Sequence, residues 1–338
     1  MNLTIRRIFL MLGNECNLQC KYCLQHDIVE DEVAHNVRPK VYSYIIRLQT
    51  MQRQPINITF FGGEPLLFWK QIESFVDALE MYGVRFSIIT NGKGLTKERI
   101  EYMNAHKISV GLSWDGARVE ETRGYDVIAD KKDLLYEICM LCISGVGTMK
   151  NMPADFAHAV DTFDAGYYEK QHRHVGINYD LLLDNCQNCG SLAIYDYEKW
   201  TEQIEMLVRE YEEKHDTAGA RLINNWIRQG RRPYSPLSAK CGNGTTVLNL
   251  DMQGNLYQCH NNHRRIGTID EDDFASFKRM MMIDPTAKNY KTMCKDCEVL
   301  AYCKGGCMLT DQETRKRYYC ELARATYGAL LRLLPYEK

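Results

Sequence analysis

Cys16, Cys20 and Cys23 place three thiols on one short stretch with the spacing C-x3-C-x2-C. Thiolates this close can grip three corners of a cubane iron–sulfur cluster, which ordinarily takes four cysteines. The remaining iron is then open to another ligand, as the metal of a catalytic site is. A structural zinc knuckle would want a fourth protein ligand nearby. The nearest histidine, His26, lies in a polar loop where solvation is the ordinary fate.

A second group lies far along the chain: Cys241, Cys259, Cys294, Cys297, Cys303, Cys307 and Cys320. Gly254 precedes Cys259 in the arrangement G-x4-C, and the next four cysteines read C-x2-C-x5-C-x3-C. Seven cysteines with tight pairs would bind one or two metal sites. Two structural zincs need eight ligands, and His260 or His263 could complete that count. Four cysteines remain. Cys139 and Cys142 lie at i, i+3 in an apolar run read as a helix, which makes them core. Cys186 and Cys189 stand in a polar loop after a strand, where a thiol could serve as a missing cluster ligand or a hydrogen-atom donor.

The elements that must position these groups alternate. Strands are expected at 5–12, 56–61, 85–90, 108–113, 145–149 and 174–183, with helices at 38–52, 68–81, 96–105, 131–142, 153–164 and 197–214. Six strand–helix units imply an α/β fold with a parallel sheet. An eight-unit barrel takes roughly 250 residues, so the stretch before residue 230 suits a partial, TIM-like (β/α)6 barrel. Arg231 to Pro236 reads as a linker. The expected division is therefore 1–230 for the barrel and 231–338 for a cysteine-rich extension held together by metal.

The chain of 338 residues has 42 Lys and Arg against 44 Asp and Glu, 45% hydrophobic residues and 14 cysteines. Near-neutral charge offers no nucleic-acid or membrane-binding face, and no apolar run approaches the length of a membrane span. The five apolar residues after Arg6-Arg7 are too few for a secretion signal. A cytoplasmic location is expected, where thiols stay reduced and bind metal rather than pair.

The C-x3-C-x-aromatic-C run after the first strand resembles the motif of the radical S-adenosylmethionine (SAM) enzymes. In that family the amino and carboxylate groups of SAM chelate the open iron, and the reduced cluster cleaves the sulfonium to release a 5′-deoxyadenosyl radical. The resemblance implies further contacts to SAM. Tyr22 matches the aromatic position at the cluster. Gly62, Gly63, Glu64 and Pro65 match the GGEP motif, with the glycines admitting a ligand close to the backbone and Glu64 receiving the SAM ammonium. Asn91 belongs to a TNG turn, Ser113 and Asp115 to an SLDG-like motif with Trp114 in place of Leu, and Arg123 to the position that pairs with the SAM carboxylate.

The later cysteines are very similar to the pattern of the SPASM extension of radical SAM enzymes. This resemblance implies two auxiliary 4Fe-4S clusters beside the SAM-binding one. Cys294, Cys297, Cys303 and Cys320 would hold one. Cys241, Cys259 and Cys307 would hold the other, whose fourth ligand is open because Val247 stands where some relatives have a cysteine. SPASM enzymes mostly modify peptides and proteins oxidatively, by cross-linking, thioether formation, epimerisation and related maturation of ribosomal peptides. Such chemistry implies an electron donor of flavodoxin or ferredoxin type. With Cys16 so early in the sequence, no leader-binding domain is expected before it, so the leader of a ribosomal peptide would be recognised by a separate leader-binding protein or by another surface.

Two alternatives stand beside peptide maturation. Sulfatase-maturating relatives, which form formylglycine, carry an acidic general base after the G-x4-C cysteine, where this chain has His260. A radical SAM dehydrogenase acting on a small molecule is the other. By position, His260, Tyr179, Asp180, Cys186 and Cys189 are the candidates for moving a proton or hydrogen atom.

Overall fold

The computed structural model describes residues 4–25, 36–182, 192–231, 241–243, 245–271, 294–307, 310, 313 and 318–333. Six strands alternate with helices. They are β1 (Arg7–Met11), β2 (Asn57–Phe61), β3 (Arg85–Thr90), β4 (Ser109–Ser113), β5 (Leu141–Gly147) and β6 (Gly176–Leu181). All pair in parallel with their sequential neighbours. The helices are α1 (Pro39–Thr50), α2 (Trp69–Leu79), α3 (Lys97–Ala105), α4 (Val119–Arg123), α5 (Val127–Leu135), α6 (Pro153–Gln171), α7 (Tyr197–Glu213) and α8 (Ala218–Arg231).

The strands alternate between two environments, as period-2 side chains must. Ile58, Phe60, Phe86, Ile88, Val110, Leu112, Leu141 and Ile143 are buried under the helices. On the opposite face Ser87, Ile89, Gly111, Ser113, Ser144 and Asn178 are only half-buried. Polar residues there bond one another: Asn57 Nδ2 donates to Ser87 Oγ at 2.9 Å, and Ser87 and Thr59 hydroxyls lie 2.9 Å apart. The result is the partial barrel expected from the alternation, with an open concave face.

The sheet does not stop at β1. Its order is β6-β5-β4-β3-β2-β1-β7-β8-β9, where β7 (Val247–Asp251) runs parallel to β1. A hairpin of β8 (Asn255–Cys259) and β9 (Asn262–Thr268) follows antiparallel. Asp251 shapes the β7–β8 turn by accepting the Gln253 and Asn255 N–H groups at 2.9 and 2.8 Å. The C-terminal helix Cys320–Leu333 returns to α7, where Trp200 Nε1 donates to Thr326 Oγ1 at 2.8 Å. Among the described residues no helix is long and apolar enough to cross a membrane.

Three expectations need correction. The helix expected at 131–142 is α5, which begins at Val127 because the Asp126 carboxylate caps the N–H groups of Ile128 and Ala129. The apolar run that follows is strand β5, so Cys139 is exposed in the turn before it and Cys142 half-buried within it. Neither is a helix-core residue. Helix α8 and strands β7 to β9 were not expected. Cys186 and Cys189 lie outside the described residues.

Candidate active site

The loop carrying Cys16, Cys20 and Cys23 leaves the C-terminal end of β1 and is fixed from three sides. The ends of β1 and β2 continue side by side past their last paired residues. Leu12 N–H bonds Phe61 O at 2.9 Å, Gly63 N–H bonds Gly13 O at 2.8 Å and Glu64 N–H bonds Glu15 O at 2.8 Å. A Cβ on Gly62, whose φ is +147°, would lie 2.2 Å from Gly13 O. One on Gly63 would lie 2.3 Å from both Asn14 O and Glu15 O. The two glycines thus admit the cysteine loop itself.

Glu64 is buried and its carboxylate is heavily used. Oε1 accepts Leu66 N–H at 3.0 Å and the Thr90 hydroxyl at 2.6 Å, and Oε2 accepts Asn91 N–H at 2.8 Å. Burial raises its pKa, while those three donors pull it back. Asn91 then reaches from β3 to the cysteine loop, donating from Nδ2 to Asn17 Oδ1 at 2.8 Å. Pro65 opens a short 3-10 turn, Pro65–Phe68, capped by the Glu64 side chain. In this geometry the GGEP and TNG turns brace the cysteine loop and keep one Glu64 oxygen with spare acceptor capacity.

The third support comes from β4 and α4. Lys21 N–H bonds Thr122 O at 2.9 Å. Asp115, fully buried, accepts Val146 N–H at 3.0 Å and the Thr122 hydroxyl at 2.7 Å, together with the Tyr22 hydroxyl. Arg123 Nη2 lies 3.2 Å from Asp115 Oδ1 and Nε lies 3.1 Å from Oδ2, the latter out of hydrogen-bond alignment. The guanidinium sits 5.3 Å from the Tyr22 ring centroid. Burial opposes its charge, but Asp115, Tyr22 and Cys20 together more than offset this and raise the pKa. Arg123, matched by resemblance to a SAM-carboxylate contact, is here the partner of Asp115 and a neighbour of Cys20. Ser113 ends β4 opposite Ser144. Trp114 packs inward and donates to Asp126 Oδ1 at 2.9 Å.

Burial pushes the Cys20 thiol up to about 11, with Arg123 working against it, and Cys16 is raised as well. A bound metal would take such groups as thiolates and release their protons. Asn14 Nδ2, on the same loop, is buried without a partner. The donor set fits an iron–sulfur cluster with a polar ligand beside it.

The C-terminal cysteines gather in two places. Cys294, Cys297, Cys303 and Cys320 line one cavity of about 250 Å3, with Arg324 and Glu321 on the same wall. Elsewhere Cys259, at the end of β8, interacts electrostatically with Cys241 and Cys307. Among the described residues no three His, Cys, Asp or Glu side chains converge closely enough to hold a single metal ion.

Residues 10–133 match the model of the radical SAM superfamily. This segment is a radical SAM domain. It runs from β1 into α5 and contains the cysteine loop, the glycine turn, the Asn91 turn and the Asp115–Arg123 pair. Over nearly the whole chain the protein is similar to TigE, a radical SAM cyclopropyl synthase of Paramaledivibacter caminithermalis. The two are 23% identical, covering 90% of this chain and 68% of that relative. Among solved structures, native anSMEcpe with bound AdoMet and the Cp18Cys peptide superimposes with a TM-score of 0.69 at 17% identity, over 97% of each chain. Streptococcus suis SuiB bound to the precursor peptide SuiA gives 0.61 at 16% identity, over 90% of this chain and 73% of the other. At such identities the likeness speaks for the fold. The chain thus carries a radical SAM domain over residues 10–133. With a cubane and SAM bound, a domain of this kind supplies a 5′-deoxyadenosyl radical.

The described candidates for proton or hydrogen transfer sit in unlike settings, and Cys186 and Cys189 lie outside the described residues. Tyr179 on β6 is buried between Phe156 and Trp200, and its hydroxyl is committed to Asn151 O. Asp180, next along β6, is exposed and accepts Asn178 Nδ2 at 3.0 Å. The His260 ring stacks 3.9 Å from Phe9 and meets Phe61 edge-on at 4.8 Å. Its Nδ1 is sealed without a partner. Burial and then Arg7 push its pKa down to about 3, so the ring is neutral at physiological pH. Sequence reasoning missed Asn17 and Thr122, which tie the cysteine loop to β3 and Asp115. Both stand inside or beside motif residues, which was the available signal.

Proposed function

We propose that the protein reductively cleaves SAM, abstracts hydrogen from a peptide substrate and oxidatively modifies it, with two auxiliary 4Fe-4S clusters in residues 231–338. Cys16, Cys20 and Cys23 hold the SAM-binding cluster. Cys294, Cys297, Cys303 and Cys320 hold one auxiliary cluster, and Cys241, Cys259 and Cys307 hold the other. The observation that carries this reading is the convergence of four cysteines on one cavity remote in sequence from the radical SAM loop. SAM cleavage alone needs none of them, whereas an oxidised product leaves electrons that bound iron–sulfur clusters can accept.

The chain's own groups take defined roles. Glu64 receives the SAM ammonium on its spare acceptor capacity, and Asn91 and Asn17 hold the loop against it. Asp115 orients Arg123 beside Cys20 and Tyr22. The concave face, with Ser113, Ser144 and Asn178 half-buried along it, receives the substrate. Two similar proteins of the same fold were solved with peptides, Cp18Cys on anSMEcpe and SuiA on SuiB, which supports a peptide as substrate. An electron donor of flavodoxin or ferredoxin type and a leader-binding protein complete the expected partners.

The test is anaerobic reconstitution followed by incubation with SAM, reductant and a ribosomal precursor peptide. Three cubanes correspond to about twelve irons per chain, and the peptide should lose hydrogen by mass. Four irons per chain, or turnover confined to a sugar or alcohol, would contradict the reading.

A further inference from the structure

Asn243 and Asn249 form a relay of amides beneath Cys259 that the radical SAM assignment does not use. Asn249, on β7, has no solvent exposure. Its Nδ2 donates to Tyr257 O and Gln258 O, both at 3.3 Å, and to Asn243 Oδ1 at 3.2 Å. Three acceptors surround that nitrogen, so the amide cannot be turned over without setting oxygen against oxygen. Asn249 therefore fixes Asn243 with its Oδ1 toward β7. Turning Asn243 over would set two NH2 groups against each other.

The consequence falls on Asn243 Nδ2. Asn243 is 5% exposed, and this nitrogen is buried without a hydrogen-bond partner. An orphaned buried donor is costly, so an acceptor in the working protein is expected there. The side chain beside it is Cys259. Its Sγ accepts the Asn261 N–H at 3.4 Å and faces the Asn243 side chain, and Asn249 ties Asn243 to the Gln258 carbonyl just before it.

We propose that Asn243 is a positioning residue whose Nδ2–H donates to the Cys259 thiolate of the first auxiliary cluster, holding that cluster's reduction potential up. This rests on the auxiliary-cluster reading given above. Hydrogen bonds to ligand sulfurs are one of the levers that set cluster potentials. Reduction adds negative charge to the sulfurs, so a donor aimed at one favours the reduced form. Asn249 and two backbone carbonyls of β8 aim that donor. The strand that carries Cys259 thereby also orients the group that tunes it.

The test compares the full-length, anaerobically reconstituted protein with Asn243→Ala and Asn243→Asp by redox titration followed by EPR. In variants carrying the wild-type iron content, one reduction step is expected to move about tenfold toward the oxidised form, which is 59 mV for one electron. The other two steps stay in place. Three unmoved potentials in loaded Asn243→Ala overturn the proposal. Should the variants load less iron, wild-type protein labelled with 15N-asparagine supplies the reading. An asparagine amide coupling at a reduced auxiliary cluster in pulsed EPR supports it, and absence of any such coupling overturns it. A Cys259→Ala protein that keeps the full iron count would overturn the cluster reading itself, and the proposal with it.

Discussion

The two cysteine-bearing regions are held by different means. The N-terminal loop lies on the ends of parallel strands, with Gly63 and Glu64 N–H groups bonded to Gly13 and Glu15 carbonyls and Asn91 clamped to Asn17. Its shape follows from backbone laid on backbone. The cavity lined by Cys294, Cys297, Cys303 and Cys320 is formed by turns, the four-residue helix Leu300–Cys303 and the start of the C-terminal helix. Among the described residues no sheet hydrogen bonds run through it. A bound metal adds its binding free energy to folding wherever the chain alone supplies little. On the proposed function, the barrel loop is therefore preformed for a cluster, and the C-terminal cavity would depend more on a bound one.

That contrast can be broken at several points. The largest effect should come from exchanging Cys16, Cys20 and Cys23 together for Ala, which should abolish 5′-deoxyadenosine formation and leave the C-terminal iron in place. Cys294→Ala should do the reverse, losing about four irons while SAM cleavage persists and peptide product disappears. Iron analysis and nucleoside chromatography read both. If either change removed all iron, the two sites would not be independent.

Next in size is Asp115→Asn. It leaves Arg123 buried without its counter-charge, a change that typically costs about 3–5 kcal/mol. Denaturant unfolding should show a loss of this order, with SAM cleavage reduced in the protein that remains folded. A loss below about 1 kcal/mol would mean that Arg123 does not depend on Asp115.

Asn91→Ala removes one loop clamp and should cost about 1 kcal/mol, with the larger effect on SAM affinity than on melting. At the small end, Cys139→Ser is exposed and outside both cysteine groups, so stability should stay within about 0.5 kcal/mol with full iron content. Metal removal sharpens the same contrast. Chelation should raise amide exchange in 294–307 and 318–333 well before it does so in β1 to β4. Equal exchange in both regions would remove the distinction.

Much of the barrel was legible because its signals are local. The period-2 strands ending in Gly62-Gly63, Thr90-Asn91-Gly92 and Ser113-Trp114-Asp115 announce themselves within a few residues. What escaped depends on distant partners. Strand β7 pairs with β1 across most of the chain, and no local pattern marks such a pairing. Cys142 read as helical because Leu134, Leu135, Ile138 and Leu141 keep a helical spacing, while the Asp126 cap that starts α5 earlier was overlooked. Within the site, residue types were readable but partners were not. Arg123 does not announce the buried Asp115 that pairs with it, nor His260 the rings of Phe9 and Phe61 that pack against it.

The central claim is that one chain joins a SAM-cleaving loop to separate clusters serving an oxidised peptide product. Peptide turnover by Cys294→Ala, measured anaerobically with SAM, reductant and precursor peptide, tests it most directly. The account predicts that 5′-deoxyadenosine still forms while the oxidised peptide does not. Oxidised peptide at the wild-type rate, from protein shown to have lost that iron, would contradict it.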